Sequence, residues 1–265
     1  MKRISKILML AMALTAATSG IASATPSTQI WIPSTDIQSF GTVHLNIDNY
    51  FRASGVPKSA PTASATRDAN VMDIGPTVGI LPFEKIQAEI GFDYLVTANE
   101  PNDNHPLSAN FKIGTPEDSL FKYSPAIAVG MYNIGPTLSS SMAPGVTSGQ
   151  NIAYGLVAKT LPVVGRLSAG YYRGSERALV SDFNTLKPEN DGVLLSWDRT
   201  MSEISDKLWF AVDYMGGNNA DGAVNFGASW NFAKNVSVIF GYDVYTKKSL
   251  AGNNTFTTQL DINFP

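Results

Sequence analysis

The chain has 265 residues, of which 44% are hydrophobic, with no cysteine and a formal net charge of −3. A chain without cysteine forms neither disulfides nor thiolate metal sites. Its acidic balance argues against nucleic acid as a partner, because neutralising phosphates requires clustered Lys and Arg. Beyond residue 24, no apolar run reaches the roughly 18 residues that a membrane-spanning helix needs.

The first 24 residues have the pattern of a secretory signal peptide. A basic start with Lys2, Arg3 and Lys6 precedes a short apolar stretch, which ends in small residues around Ala22 and Ala24. This order is typical of a signal peptide that is removed on export. Cleavage after Ala24 leaves 16 basic residues against 22 acidic ones.

Residues 25–41, TPSTQIWIPSTDIQSFG, carry no clear periodicity. Three placements are open for this segment: a periplasmic lead-in, a segment inside a barrel lumen, or an extra strand around Gln29–Ile32. The lead-in is the favoured interpretation. The rest of the chain, residues 42–265, is then a single domain.

Five segments of this domain alternate apolar and polar residues over about ten positions. In residues 86–99, for example, Ile90, Phe92 and Tyr94 alternate with Glu89, Gly91 and Asp93. Successive side chains of a strand point to opposite faces, so each segment has one apolar and one polar face. The five segments are 42–51, 86–99, 223–232, 236–245 and 255–264.

Weaker patterns predict seven further strands, which raises the total to about twelve. They lie near 71–81, 109–115, 126–135, 150–161, 166–173, 192–200 and 207–215. The connections mostly alternate between long polar loops (52–70, 99–108, 137–149, 174–190) and short turns (82–85, 162–165, 232–235). This alternation is typical of a transmembrane β-barrel. We therefore expect an all-β, antiparallel, up-and-down transmembrane barrel with both ends in the periplasm.

The charged residues of the strands fit this interpretation. A charge facing mid-bilayer lipid costs about 2–4 kcal/mol for Arg or Lys, so charged side chains are expected on the inner face. Arg173 and Arg199 are exceptions near strand ends. The predicted lumen-lining set is Asp48, Asp73, Glu89, Asp93, Lys112, Lys159, Arg166, Asp198, Asp213, Asp243 and Asp261.

The signal peptide, the alternating strands and a last strand that ends in Phe264 resemble the outer-membrane β-barrel proteins of Gram-negative bacteria. In that class the final aromatic residue is read by the outer-membrane assembly machinery. Leu260, Ile262 and Phe264 match the spacing, but Pro265 follows and departs from the pattern. The resemblance is to a porin-like architecture rather than to a specific family. It implies an outer-membrane location, contact with lipid and assembly by that machinery.

Few residues suggest catalysis. His44 shares a strand face with Asp48, and a His–carboxylate pair can orient a base, but the sequence places no nucleophile beside it. His105 follows Asp103 in a polar loop, and a solvated loop is the simpler interpretation. Glu89 and Asp93 share a face and are expected to meet lumen cations. We predict no enzyme, no cofactor and no metal site.

The favoured function is a small passive channel for ions or small solutes. The predicted inner face carries eight acidic and three basic residues, and a pore lined by acids favours cations. A barrel of this size can also be filled by side chains, so a plugged barrel that binds or adheres through its loops is the alternative. A soluble secreted β-sandwich is a further one. The sequence predicts neither the solute nor the oligomeric state.

Overall fold

The structure is a computed structural model, and it describes residues 27–53, 70–97, 105–136 and 149–265. The predicted signal peptide lies outside these residues, as do most of the loops predicted at 52–70, 99–108 and 137–149. Within the described part of the chain, no helix is long and apolar enough to cross a membrane.

The described residues form twelve strands, and each segment predicted from the sequence overlaps one of them. The strands are β1 (Val43–Arg52), β2 (Val71–Gly79), β3 (Gln87–Thr97), β4 (Leu107–Thr115), β5 (Ala126–Ile134), β6 (Ile152–Leu161), β7 (Gly165–Arg173), β8 (Asp191–Thr200), β9 (Leu208–Met215), β10 (Ala223–Ala233), β11 (Val236–Tyr245) and β12 (Thr255–Phe264). One helical turn, α1 (Lys248–Ala251), precedes β12.

Every strand pairs antiparallel with its neighbours in sequence, and β12 pairs with β1 to close the sheet. The predicted all-β, up-and-down barrel fold is therefore confirmed. Closure leaves no strand edge unpaired, which is what a sheet in lipid requires. At one end of the barrel, the loop end, the odd-numbered strands end and the even-numbered strands begin; its fully described connections are 174–190, 216–222 and 246–254. At the other, the turn end, the even-numbered strands end and the odd-numbered strands begin, so it holds the start of β1 and the end of β12.

The two faces of the barrel differ as the alternation predicts. In β10, Phe226 and Trp230 lie on the outer face, whereas Asn225 and Ser229 are buried inside. Because the side-chain period of a strand is two, a slip by one residue would exchange these faces. The outer face of the described barrel carries many large apolar side chains, among them Phe92, Val129, Val157, Leu195 and Phe240.

The lumen is not empty, because residues 27–38 lie inside it. We call residues 27–38 the plug segment. Gln29, Ile30 and Ile32 are almost fully buried. The segment leaves the lumen at the turn end, where Phe40 bridges to Gly79 before β1 begins. This placement corrects the favoured periplasmic lead-in and matches the lumen placement that the sequence left open.

One sector of the lumen is apolar, because the plug segment packs against it. Ile32 belongs to a buried cluster with inner-face residues of β6 to β9 and with Leu179 from the 174–190 connection. That connection folds inward, and Ala178, Leu179 and Val180 are buried at the loop end. Apolar burial of this kind contributes about 1.5–3 kcal/mol for each large side chain. The plug segment therefore fills the lumen beside β6–β9 and leaves space beside β1–β5.

Candidate functional site

Asp213 on β9 holds the middle of the plug segment. Its Oδ2 accepts the backbone N–H groups of Ile30 at 2.8 Å, Trp31 at 2.9 Å and Ile32 at 3.4 Å. Its Oδ1 accepts Asn225 Nδ2 at 2.6 Å. Three consecutive N–H groups directed at one carboxylate make an anion nest. The backbone of the plug segment therefore stabilises the negative charge of Asp213.

A second anchor joins both halves of the plug segment to β7 and β8. Arg166 Nη1 lies 2.7 Å from both carboxylate oxygens of Asp36, and its Nε donates to Asp198 Oδ1 at 2.9 Å. Asp198 also accepts Gln29 Nε2 at 3.0 Å and the indole N–H of Trp209 at 3.1 Å. Charge-assisted bonds of this kind are the stronger class of protein hydrogen bond.

The third anchor is a buried Lys112–Glu89 pair near the turn end. Lys112 Nζ lies 3.1 Å from Glu89 Oε1 and also donates to the backbone carbonyl oxygens of Ser27, Ser34 and Asp36. Glu89 in turn accepts the Gln38 backbone N–H at 2.7 Å and the Ser27 hydroxyl at 3.1 Å. A buried charge pair needs such extra hydrogen bonds to offset its desolvation, and the plug segment supplies them.

The space left beside β1–β5 is a cavity of about 200 Å³. It follows the inner face of β1 through His44, Asn46, Asp48, Tyr50 and Arg52, the whole inward set of that strand. At about 3.3 Å per residue, His44 to Arg52 corresponds to about 26 Å of strand. The cavity therefore runs from near the turn end to the loop end. Aromatic side chains complete its wall: Trp31, Tyr132, Tyr154 and Tyr245.

Three carboxylates on neighbouring strands face this cavity together. Asp48 and Asp73 are direct partners across β1 and β2, and Asp93 lies on β3 beside them. None of the three forms an ion pair within the described residues, whereas Glu89 and Asp198 pair with cations. Asp93 accepts Asn110 Nδ2 at 2.7 Å, but Asp48 Oδ1 and Asp73 Oδ1 are buried without a hydrogen-bond partner.

Gly75 makes room for the centre of this acidic group. A Cβ added at Gly75 would overlap Asp93 Oδ1 and would lie 3.1 Å from Asn46 Oδ1. The absence of a side chain at Gly75 therefore lets these two oxygens converge over the β2 backbone. We call the group formed by Asn46, Asp48, Asp73, Gly75 and Asp93 the acidic niche.

The structure places ten of the eleven predicted lumen-lining residues on the inner face and one on the outer face. Six inner residues, Glu89, Lys112, Arg166, Asp198, Asp213 and Asp261, are engaged with other protein groups rather than with open lumen. Asp243 is likewise buried and accepts the Thr255 hydroxyl at 2.6 Å. The remaining three, Asp48, Asp73 and Asp93, form the acidic niche.

Lys159 is the exception, and the predicted inward orientation was wrong. Its neighbours Tyr154, Leu156 and Ala158 alternate inward on β6, so Lys159 falls on the outer face with Val157. Its Nζ lies 3.0 Å from Glu117 Oε2 and 3.2 Å from Asp118 Oδ1, both in the β4–β5 connection at the turn end. The inner face of β6 is apolar because it packs against the plug segment. The charged side chain of Lys159 therefore lies on the outer face of the strand.

The two histidines lie in different surroundings: His44 is buried in the barrel, whereas His105 is exposed just before β4. His44 Nε2 lies 3.4 Å from Asp261 Oδ1, and its Nδ1 contacts Asn263 Oδ1 at 3.0 Å. His44 and Asp261 are buried beside the turn end. No group of three or more His, Cys, Asp or Glu in the described residues has the geometry of a metal site.

Asp221 lies in the β9–β10 connection, at the loop-end mouth of the cavity. Its carboxylate accepts Gln150 Nε2 at 3.0 Å, and its backbone carbonyl accepts the Trp31 indole N–H at 3.0 Å. Burial raises the pKa of Asp221 to about 6, and the Gln150 hydrogen bond opposes this shift. The mouth therefore carries a carboxyl group that titrates in the mildly acidic range.

Sequence analysis left the lumen placement of the plug segment open without favouring it, and it missed the role of Gly75. Residues 27–38 have no strand or helix period, and their partners Asp198 and Asp213 lie more than 160 positions away. The available signal was compositional: Ile30, Trp31 and Ile32 form an apolar run that an exposed lead-in has no reason to carry.

No family model matches the sequence, and the search of curated proteins finds no match either. Solved structures with a similar fold include the NanC porin, with a TM-score of 0.43 at 10% identity, covering 83% of this chain and 99% of the porin. An outer membrane channel from Pseudomonas putida F1 has a TM-score of 0.47 at 11% identity, covering 92% of this chain and 99% of the channel. Omp33 of Acinetobacter baumannii has a TM-score of 0.39 at 10% identity, with coverages of 84% and 97%. At these scores the likeness carries no conclusion about function.

Proposed function

We propose that this protein is an outer-membrane channel of low conductance for small solutes, with a preference for cations. The observation that carries the proposal is the cavity that follows the inner face of β1 from His44 to Arg52. A cavity confined to one end of the barrel would suit a binding pocket, whereas a cavity that follows a full strand suits a path for solutes across the barrel.

The outer face supports the membrane part of the proposal. Large apolar side chains are exposed around the described barrel, and in water such a surface would be a liability for a monomer. The predicted signal peptide and terminal aromatic suit export and assembly in the outer membrane, with lipid as the surrounding partner. The proposed activity is passive and requires neither a cofactor nor catalysis.

The cation preference rests on the acidic niche. Asp48, Asp73 and Asp93 face the cavity without a paired cation in the described residues, whereas Lys112 and Arg166 are engaged by the plug segment. Rings of carboxylates in a pore favour cations over anions. The cavity has a volume of about 200 Å³ spread along about 26 Å of strand, which suits small solutes.

A second candidate function is a sealed barrel that acts through its loops. The three anchors of the plug segment favour it, because each ties the segment to the wall through charged groups. In this case the cavity is a pocket that opens at the loop end, and ions do not cross.

Conductance of the purified, refolded protein in a planar bilayer with a KCl gradient tests both candidates. We expect small discrete steps and a reversal potential that favours K⁺. A reversal potential that favours Cl⁻ would contradict the cation preference. Insertion shown by detergent-resistant, heat-modifiable gel mobility, but without current steps, would support the sealed barrel instead.

A further inference from the structure

We propose that the acidic niche is a binding site for a small organic ammonium ion, with a linear diamine as the model ligand. The inference rests on the proposed function, because it names the solute class that the cavity would take. It also stands if the barrel is sealed, since binding to the niche needs access from only one end.

The first argument is the mismatch between acceptors and donors in the niche. Asn46 Oδ1 and Asp93 Oδ1 converge over Gly75, while Asp48 Oδ1 and Asp73 Oδ1 are buried without a hydrogen-bond partner. Asp48 as a whole is only 9% exposed. An ammonium group carries three N–H donors and no acceptor, so it complements a niche that offers acceptors.

The second argument is charge. Asp48 and Asp73 are directly opposite each other across two strands, where Cβ atoms lie about 4.5–5.5 Å apart and like charges destabilise each other. Among the other buried acids of the lumen, Glu89 pairs with Lys112, Asp198 pairs with Arg166, and Asp213 accepts backbone N–H groups of the plug segment. Asp261 contacts His44, and Asp243 accepts the Thr255 hydroxyl. The niche receives only neutral donors, Asn46 Nδ2 to Asp48 at 3.4 Å and Asn110 Nδ2 to Asp93 at 2.7 Å. No cation of the described chain pairs with its carboxylates, and a bound cation would supply the positive charge.

The third argument separates an organic cation from a metal ion. The described residues hold no group of side chains with the geometry of a metal site. The cavity wall instead presents Trp31, which packs edge-on against Tyr50 at 5.3 Å and Tyr245 at 5.7 Å between ring centroids. Ring faces attract ammonium groups and their methylene stems. Carboxylates at one place and rings along the wall suit a short alkyl chain that ends in ammonium.

Calorimetric titration of the refolded full-length mature protein in detergent tests the proposal. The probe is 1,4-diaminobutane, and 1,4-butanediol is its neutral analogue of nearly equal size. We expect the diamine to bind and the diol not to bind. Equal binding of the diamine and the diol would overturn the proposal. Loss of diamine binding when Ca²⁺ or Na⁺ is added at the same concentration as the diamine would also overturn it, because the site would then prefer a metal ion.

Variants then locate the site. Asp73→Asn and Asp93→Asn remove charge with little change of shape, and each should weaken diamine binding about tenfold or more. Gly75→Ala keeps every charge but fills the space over β2, so it should weaken binding as well. Asp206→Asn, at an exposed turn-end residue, is the matched control. Unchanged affinity in all three niche variants, with folding verified by heat-modifiable mobility, would refute the assignment.

The same samples in a bilayer keep this proposal separate from the channel proposal. Current that the diamine blocks supports both, and calorimetric binding without any current supports the site but not the channel. Current that the diamine leaves unchanged, together with no calorimetric binding, supports the channel and overturns the site.

Discussion

Asp213 is the residue on which the plug segment converges. Its Oδ2 accepts three consecutive backbone N–H groups, and no other described lumen acid holds more than one backbone N–H group of the plug segment. Removing a carboxylate that satisfies buried donors costs more than the bonds alone contribute, because the donors remain buried without partners.

We therefore expect Asp213→Ala to loosen the plug segment. The free energy of unfolding should fall by about 2–5 kcal/mol, and single-channel conductance should rise because the segment obstructs the lumen less. Urea unfolding followed by tryptophan fluorescence measures the first effect, and planar-bilayer recording measures the second. Ser196→Ala, another inner-face change on the neighbouring β8, is the control. A variant as stable as wild type with unchanged current would contradict the anchoring role.

At the mouth, we expect Asp221 to make the proposed cation preference depend on pH. Burial raises the pKa of Asp221 to about 6, so the carboxylate is charged above that pH and neutral below it. The negative charge at the mouth is lost as pH falls through 6, and cation selectivity should fall with it. Reversal potentials measured from pH 8 to pH 5 should show this component in wild type, and Asp221→Asn should lack it.

Asp182 supplies the matched control for this titration. It also lies in a loop-end connection, but the backbone N–H groups of Thr185 and Asn184 lower the pKa of its carboxyl group. Asp182 therefore stays charged throughout the pH 8 to pH 5 range, and Asp182→Asn should keep the wild-type transition near pH 6. If the pH transition in selectivity remains unchanged in Asp221→Asn, the titrating group is not Asp221.

Among the elements, the strands were predictable and the plug segment was not. Strands such as β3 and β10 can be predicted from the period-two alternation of their sequence, because one face meets apolar surroundings and the other faces a polar lumen. The rule failed at Lys159 because the inner face of β6 is itself apolar, with Ile152, Tyr154 and Leu156 packed around Ile32. A pattern that assumes a polar lumen cannot show which sector of the lumen is filled.

The position of the plug segment could not be predicted from periodicity, for a different physical reason. Its backbone forms few regular hydrogen bonds of its own and is satisfied by Asp213, Lys112 and Glu89, each supplied by a different strand. Such contacts depend on the closed barrel and leave no local periodicity. The acidic niche was predictable in part. The sequence predicts that its carboxylates face inward, but only the structure shows that Lys112 and Arg166 contact other groups and leave these carboxylates without a cation partner.

Removing the plug segment tests its role as an element. A refolded chain that begins at Ser39 lacks Ile30, Ile32 and the Asp36 carboxylate, and leaves Lys112, Arg166 and Asp213 facing water. We expect a severalfold higher conductance, since the segment fills the sector beside β6–β9. We also expect lower stability, because each fully buried isoleucine contributes about 1.5–3 kcal/mol. Conductance equal to that of the full-length protein would show that the segment does not limit the ion path.

For the whole molecule, the decisive physical question is which solvent meets the outer face. The closed sheet has an apolar exterior around a polar and partly plugged interior, which is the inverse of a soluble barrel. Both the channel and the sealed-barrel proposals require lipid on that exterior, whereas a soluble secreted protein requires water there. A single charge placed on the exterior distinguishes the two environments.

Val129 lies in the middle of β5 and is 50% exposed on the outer face. If this face meets the bilayer core, Val129→Arg should cost about 2–4 kcal/mol of folding free energy in lipid vesicles. Ile204→Arg places the same charge at a turn-end residue that is 68% exposed, where the cost should fall to about 0–1 kcal/mol. Reversible unfolding in guanidinium, measured in vesicles, gives both values. Near-equal values would place Val129 in water, and the membrane assignment would then be wrong, because depth in a bilayer is what makes the two sites differ.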